Sequence, residues 1–186
     1  MAVHIITSGS EAAIYTLTTR AQEENTNAIL TTEGEVLPYQ KPVVTFEKNM
    51  FLKQFSKSNP EDFHEQSKCA TLAAEMAVKS YDPILTASQD FTTDIDLMPV
   101  EGQPTSLTYS GLSSGLSFAL SMALEWGKAK GFYPASLAPS VPIFATGVIP
   151  DANGYVQRIT NLGRKIKHVC AYMASDHAPK SSPSHT

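Results

Sequence analysis

Apolar residues along the chain form one unbroken patch and two stripes, and these set out its helices. Residues 113–130 read SSGLSFALSMALEWGKAK, and Leu116, Phe118, Ala119, Leu120, Met122, Ala123, Leu124 and Trp126 point in nearly every direction around a helix. A helix that is apolar all round is a buried one, and this run has good helix formers and no internal proline. Asn59-Pro60-Glu61-Asp62 reads as a second helix start, with a cap, proline at the first position and acids in the first turn. Phe63, Ala70, Ala73, Met76 and Ala77 give that helix an apolar face to about Lys79, and Tyr81-Asp82-Pro83 ends it. Near the C-terminus Asn161 is a candidate cap, and Leu162, Ile166, Val169 and Met173 follow at helical spacing as one narrow stripe, expected on the buried side.

The remaining pattern is that of strands and loops. Residues 3–7, 13–18, 27–31 and, after Pro42, 43–46 are short β-prone runs, with Glu33-Gly34 a turn before Val36. Residues 90–100 read as a strand leading to the central helix through the polar loop 102–110, with Asp94, Asp96 and Glu101 expected to face water. Residues 131–142, rich in Pro, Ala and Ser, read as a loop, and 141–148 (VPIFATGV) as a buried-type strand. Residues 151–154 (DANG) signal a hairpin, with 155–159 returning as a strand into the last helix. From Ser175 the sequence is polar and rich in Pro and Ser, which predicts a flexible tail. The chain of 186 residues thus reads as a single domain over 1–174 with a tail over 175–186.

Composition narrows the function classes. The net charge is −4, and Lys and Arg cluster only at 164–167, so no basic surface for nucleic acid is expected. The 2 cysteines, Cys69 and Cys170, each fall within a predicted helix and read as reduced core residues, as in a cytoplasmic protein. No apolar run approaches the roughly 20 residues of a membrane span, and no basic region followed by an apolar block marks a secretion signal. His64-Glu65 resembles the start of a zinc-protease helix, but Lys68 stands where the second His belongs, so no metal is expected. No G-x-x-x-x-G-K-[ST] phosphate loop occurs, and no cofactor is expected.

Candidate chemistry lies at Gly111-Leu112-Ser113-Ser114-Gly115, which opens the central helix. Ser113 sits where a loop becomes the first helical turn, among N–H groups without helical partners and at the positive end of the dipole. Such N–H groups hold the oxyanion of an acyl-transfer intermediate. The plainer reading of Ser113 or Ser114 on this stretch alone is an N-cap. Lys165 lies three residues after Leu162 and four before Val169, on the shoulder of the apolar stripe, whereas Arg164, Lys167 and His168 fall opposite. A partly buried lysine loses hydration and its pKa falls, and a neutral amine takes the proton of a serine hydroxyl. The alternative is that Lys165 runs its stem along the surface to water. None of His4, His64, His168, His177 and His185 has a motif around it that would make it the base.

Taken together, GLSSGLSFALSMAL and ATGVIPDANGYVQRITNLGRKI resemble the proteolytic domain of the Lon protease family. That family shows a G-P-S-A-G nucleophile segment, then T-G-E-I, then Gly-Gly-Leu-Lys-Glu-Lys with the second Lys catalytic. Ser113 matches the nucleophile, Thr146-Gly147 the T-G step, and Lys165 in Asn161-Leu162-Gly163-Arg164-Lys165 the catalytic lysine. DIDLMPVEG (94–102) is similar to the strand and P-E-G turn ahead of the serine, and the match covers roughly 60–174. Birnavirus capsid-processing proteases are similar in fold and dyad. The resemblance implies an α+β fold, with small mixed β-sheets packed against a buried central helix and flanking helices. It implies a serine endopeptidase with a Ser113/Lys165 dyad, supported by Thr146, whose hydroxyl aims the amine, and by Ser114, Gly111 and Leu112 in the nucleophile turn; without a phosphate loop it is expected to act independently of ATP. Its partner would be a peptide or protein substrate, cut at flexible segments or in a dedicated polyprotein, with room for a homo-oligomer or a separate motor. The sequence departs from the family at Leu112 for Pro, Ser114 for Ala, Val148 for Glu, Arg158 for Pro and Gly163 for the first Lys. Val148 and Gly163 are the departures that favour the other reading, a non-catalytic binding or assembly module of the same fold.

Overall fold

The computed structural model describes residues 3–8, 12–21, 42–47, 49–80, 92–103, 111–129, 131 and 142–178. They form an α+β unit in which one mixed sheet carries three of its helices on one face. The strands are β1 (Val3–Ile6), β2 (Ile14–Ala21), β3 (Val43–Phe46), β4 (Thr92–Pro99) and β5 (Ile143–Ala145). They lie in the order β3-β4-β2-β1-β5, antiparallel in the middle and parallel at both edges. The expected runs at 27–31 and 33–36, most of the loops at 102–110 and 131–142, and the tail from 179 lie outside the described residues.

Alternation along β2 and β4 decides which face is covered. Leu17 pairs with Leu97 and Thr19 with Ile95, all buried, while Thr16, Thr18, Asp94 and Asp96 occupy the intervening, less buried positions. Asp94 and Asp96 accept hydrogen bonds from Thr45 and Asn49. Against the covered face pack α1 (Met50–Ser58), α2 (Pro60–Lys79) and α3 (Gly115–Ala129), the last entered through a short 3₁₀ turn at Leu112–Ser114. α1 begins at Asn49, whose side chain accepts from the Leu52 N–H; this helix is not among those the apolar pattern predicts. α2 matches its predicted span, although Asn59 makes no side-chain cap bond.

The central helix is as buried as its composition demands: no residue from Ser113 to Gly127 is exposed. Phe118, Met122 and Trp126 reach the core formed with Leu17, Ile95, Leu97, Ala70, Ala73 and Ala77. Each large side chain buried in this way contributes about 1.5–3 kcal/mol. Its polar groups are satisfied internally: Trp126 Nε1 donates to Thr93 Oγ1 (2.7 Å), and Thr19 bonds the Ser121 hydroxyl (2.9 Å).

The C-terminal helix α4 (Leu162–Met173) corrects the expectation. Its narrow apolar stripe faces outward, with Leu162 49%, Ile166 53% and Met173 39% exposed, whereas Lys165 and Tyr172 are its buried residues. Three inward contacts fix this orientation: Lys165 reaches Ser113 in the turn before α3, His168 bonds Gln103 (2.7 Å), and Tyr172 meets Phe144 of β5 edge-on (6.2 Å). Cys170 consequently lies exposed rather than in the core, while Cys69 is buried; both are free thiols. Asn161 occupies the cap position in a left-handed conformation (φ 60°) and caps through its carbonyl rather than its side chain. The returning strand expected at 155–159 reduces to a single bridge, Val148 to Gln157. After α4 the chain turns back at the expected start of the tail, with the Ser175 N–H on the Tyr172 carbonyl (2.9 Å) and Tyr172 Oη donating to the His177 carbonyl. Among the described residues no helix is long and apolar enough to cross a membrane.

Candidate active site

Three segments far apart in sequence meet where α3 begins. The first is the turn 111–115. Gly111 has φ 88°, a conformation that disfavours any side chain. A Cβ there would touch nothing, so the requirement is conformational rather than steric. The turn carries Ser113, half-buried, with Ser114 buried beneath it. The second segment is the chain leaving β5. Gly147 N–H donates to the Ser113 carbonyl (2.7 Å), Leu116 N–H donates to the Gly147 carbonyl (3.1 Å), and Ser117 Oγ donates to the Ala145 carbonyl (2.7 Å). These bonds seat the first turn of α3 on residues 145–147. The third segment is α4, which carries Lys165.

Lys165 is 2% exposed, and its Nζ lies 2.8 Å from Ser113 Oγ and 2.8 Å from Thr146 Oγ1. Among the described residues no carboxylate pairs with it. Burial therefore acts unopposed and brings the amine down from 10.5 to about 8. The alternative in which Lys165 extends to water is excluded by this placement. Thr146 Oγ1 donates to the Ser113 carbonyl (3.2 Å), so toward Lys165 it is an acceptor. That places an amine N–H on Thr146 and, in the neutral amine, leaves the lone pair able to face the Ser113 hydroxyl.

Ser114 is not a backbone cap here. Its hydroxyl donates to Gln66 Oε1 (2.6 Å) and lies 3.8 Å from Cys69 Sγ. Burial pushes the Cys69 thiol up to about 11, so it stays protonated and offers no competing nucleophile. The N–H groups of Leu112 and Ser113 open the 3₁₀ turn and have no acceptor within it. His168 is held by Gln103 on the same side of α4, and burial, aided by Arg164, lowers its pKa. Among the described residues no three His, Cys, Asp or Glu side chains converge closely enough to hold a metal ion.

The sequence singles out Ser113, Ser114, Thr146, Lys165, Gly111 and Leu112, and the fold brings all six to one place. A seventh residue joins them that the sequence does not single out: Gln66, which is 1% exposed on α2 and bonds both the Gly111 carbonyl and Ser114. A signal for it exists, since Gln66 follows Phe63 by three residues and precedes Ala70 by four, a polar residue set in an apolar stripe. No protein-family model matches the chain, and no curated protein matches it in sequence.

Proposed function

We propose that this chain is a serine endopeptidase on a Lon-protease-like domain, with Ser113 the nucleophile and Lys165 the general base. It acts without ATP on flexible segments or a dedicated protein substrate. One observation carries the reading: a lysine amine, buried with no carboxylate partner among the described residues, lies 2.8 Å from a serine hydroxyl at the start of a buried helix. Structural lysines seldom take that position, because burying a charge without an ion partner costs stability.

The chemistry follows from these contacts. Ser113 Oγ bonds to the peptide carbonyl carbon while its proton passes to Lys165 Nζ. The carbonyl oxygen takes up the negative charge and accepts from the N–H groups of Leu112 and Ser113. When the carbonyl re-forms, the C–N bond breaks and the Lys165 ammonium gives its proton to the leaving amine. Water then attacks the acyl carbon and loses a proton to Lys165. The ester bond to Oγ breaks, and Ser113 recovers the proton.

The test is intact-mass analysis after incubation with an aryl fluorophosphonate, which transfers its phosphonyl group to a nucleophilic serine with loss of fluoride. A single adduct at Ser113 is expected, absent in Ser113→Ala and slowed at least ~100-fold in Lys165→Ala. Because the active amine is the neutral one, labelling rises about tenfold per pH unit from pH 6 and levels off above about 8. An unlabelled wild-type protein, or labelling that does not need Lys165, overturns the proposal in favour of a binding module.

A further inference from the structure

Resting on the peptidase reading, we infer that Gln66 is a positioning residue for acylation: its carboxamide holds the peptide linking Gly111 to Leu112 so that the Leu112 N–H faces the reacting side of Ser113. The two hydrogen bonds of Gln66 span the turn. Nε2 donates to the Gly111 carbonyl at 2.8 Å, and Oε1 accepts from Ser114 Oγ at 2.6 Å. The amide orientation is unambiguous, because a carbonyl only accepts and so must face the NH₂ end. Ser113 lies between the two anchored residues, one on each side of the nucleophile segment.

The consequence for the oxyanion site comes from peptide planarity. In a trans peptide the C=O and the following N–H point in opposite directions, and no described peptide bond is cis. With the Gly111 carbonyl drawn to α2, the Leu112 N–H must point away from α2. The opposite orientation would put a carbonyl oxygen where the oxyanion forms. Gly111 is the place where such a flip meets least resistance, since it has φ 88° and no Cβ to oppose rotation. Glu65, next to Gln66 on α2, adds a second hold by accepting the Gly111 N–H at 3.2 Å. A carboxamide 1% exposed on a helix face otherwise built from Phe63, Ala70, Ala73 and Ala77 costs stability unless both its ends are bonded. Here both ends are bonded to the nucleophile turn.

The experiment measures the phosphonylation rate against pH for wild type, Gln66→Met and Ser114→Ala, with circular-dichroism melts to confirm folding. Gln66→Met keeps the unbranched shape and loses both hydrogen bonds. Its limiting rate at high pH is expected to fall about 10- to 1,000-fold, the effect of a misplaced oxyanion donor. The midpoint of its pH profile is expected to stay at the wild-type value, because Lys165, Thr146 and Ser113 are untouched. Ser114→Ala frees only one end of Gln66 and is expected to lose less, at the same midpoint; if Gln66→Met does not fold, this variant decides. A wild-type limiting rate in the deciding variant overturns the inference, and so does a loss accompanied by a shifted midpoint, which would mean that the dyad and not the donor turn had been disturbed. Wild type that labels while Gln66→Met is unaffected defeats this inference alone. Wild type that gives no Ser113 adduct defeats the peptidase reading and this inference with it.

Discussion

At Thr146 a single hydroxyl separates two states of the same lysine. Its proton goes to the Ser113 carbonyl and its oxygen lies 2.8 Å from Lys165 Nζ. Without it the neutral amine can turn its lone pair away from Ser113. Thr146→Val, which keeps the shape and removes the hydroxyl, is expected to slow Ser113 phosphonylation about tenfold, the effect of one lost hydrogen bond of about 1–1.5 kcal/mol. Thr146→Ser recovers most of the rate. Equal rates for the Val variant and wild type would show that Thr146 serves the strand alone. From sequence, a threonine at a strand end has a sufficient reason in β-propensity, and only the family resemblance marks this one. Lys165 is marked by the resemblance; its place beside the apolar stripe does not reveal its burial, because that stripe faces outward and the lysine inward. The contribution of Gln66 cannot be read from sequence, because which carbonyl a buried amide meets is decided by the packing of α2 on the turn.

Among the elements, α4 shows where periodicity misleads. The stripe of Leu162, Ile166, Val169 and Met173 predicts a helix correctly and its inner face wrongly. An apolar stripe marks the inner face of a helix only where the surface beneath it is also apolar. Here that surface presents a pair of hydroxyls, and a lysine supplies what they need. The core helices carry no such conflict, so α2 and α3 are legible nearly to their ends. α1 is hidden because its burial rests on only two residues, Leu52 and Phe55. The step from β5 to the turn 111–115 depends on close approach at Gly147. A Cβ there would lie 2.4 Å from Val156 Cγ1 and 3.2 Å from Leu116 Cβ. Gly147→Ala is therefore expected to cost about 1–3 kcal/mol in urea denaturation. It should also slow labelling, since the Gly147 N–H and carbonyl hold Ser113 and Leu116. An unchanged urea midpoint would mean that residues 155–156 move aside freely.

For the molecule as a whole, the edge of the sheet at β5 positions the start of α3. The parallel pairing of β5 with β1 places residues 145–147 at one end of the sheet, beside the start of α3, where Ser117 ties the two together. The sequence indicates the strands but not their order, because three of the four pairings, β1–β5, β2–β4 and β3–β4, join segments distant in the chain. The same architecture encloses a basic group that the fold would be steadier without. Burial lowers the Lys165 pKa from 10.5 to about 8, so between those values the unfolded chain holds a proton that the folded chain does not. Stability therefore rises with pH across that window, and below about 8 the folded state bears the full cost of an enclosed ammonium. Lys165→Met is expected to melt at a higher temperature than wild type at pH 7, with the gap narrowing as the pH approaches 10.5; a lower melting temperature at pH 7 would refute this. The proposed activity and durability are thus opposed at one side chain. Selection for heat resistance alone would discard Lys165, and its retention in a resilient lineage would itself be a sign of use.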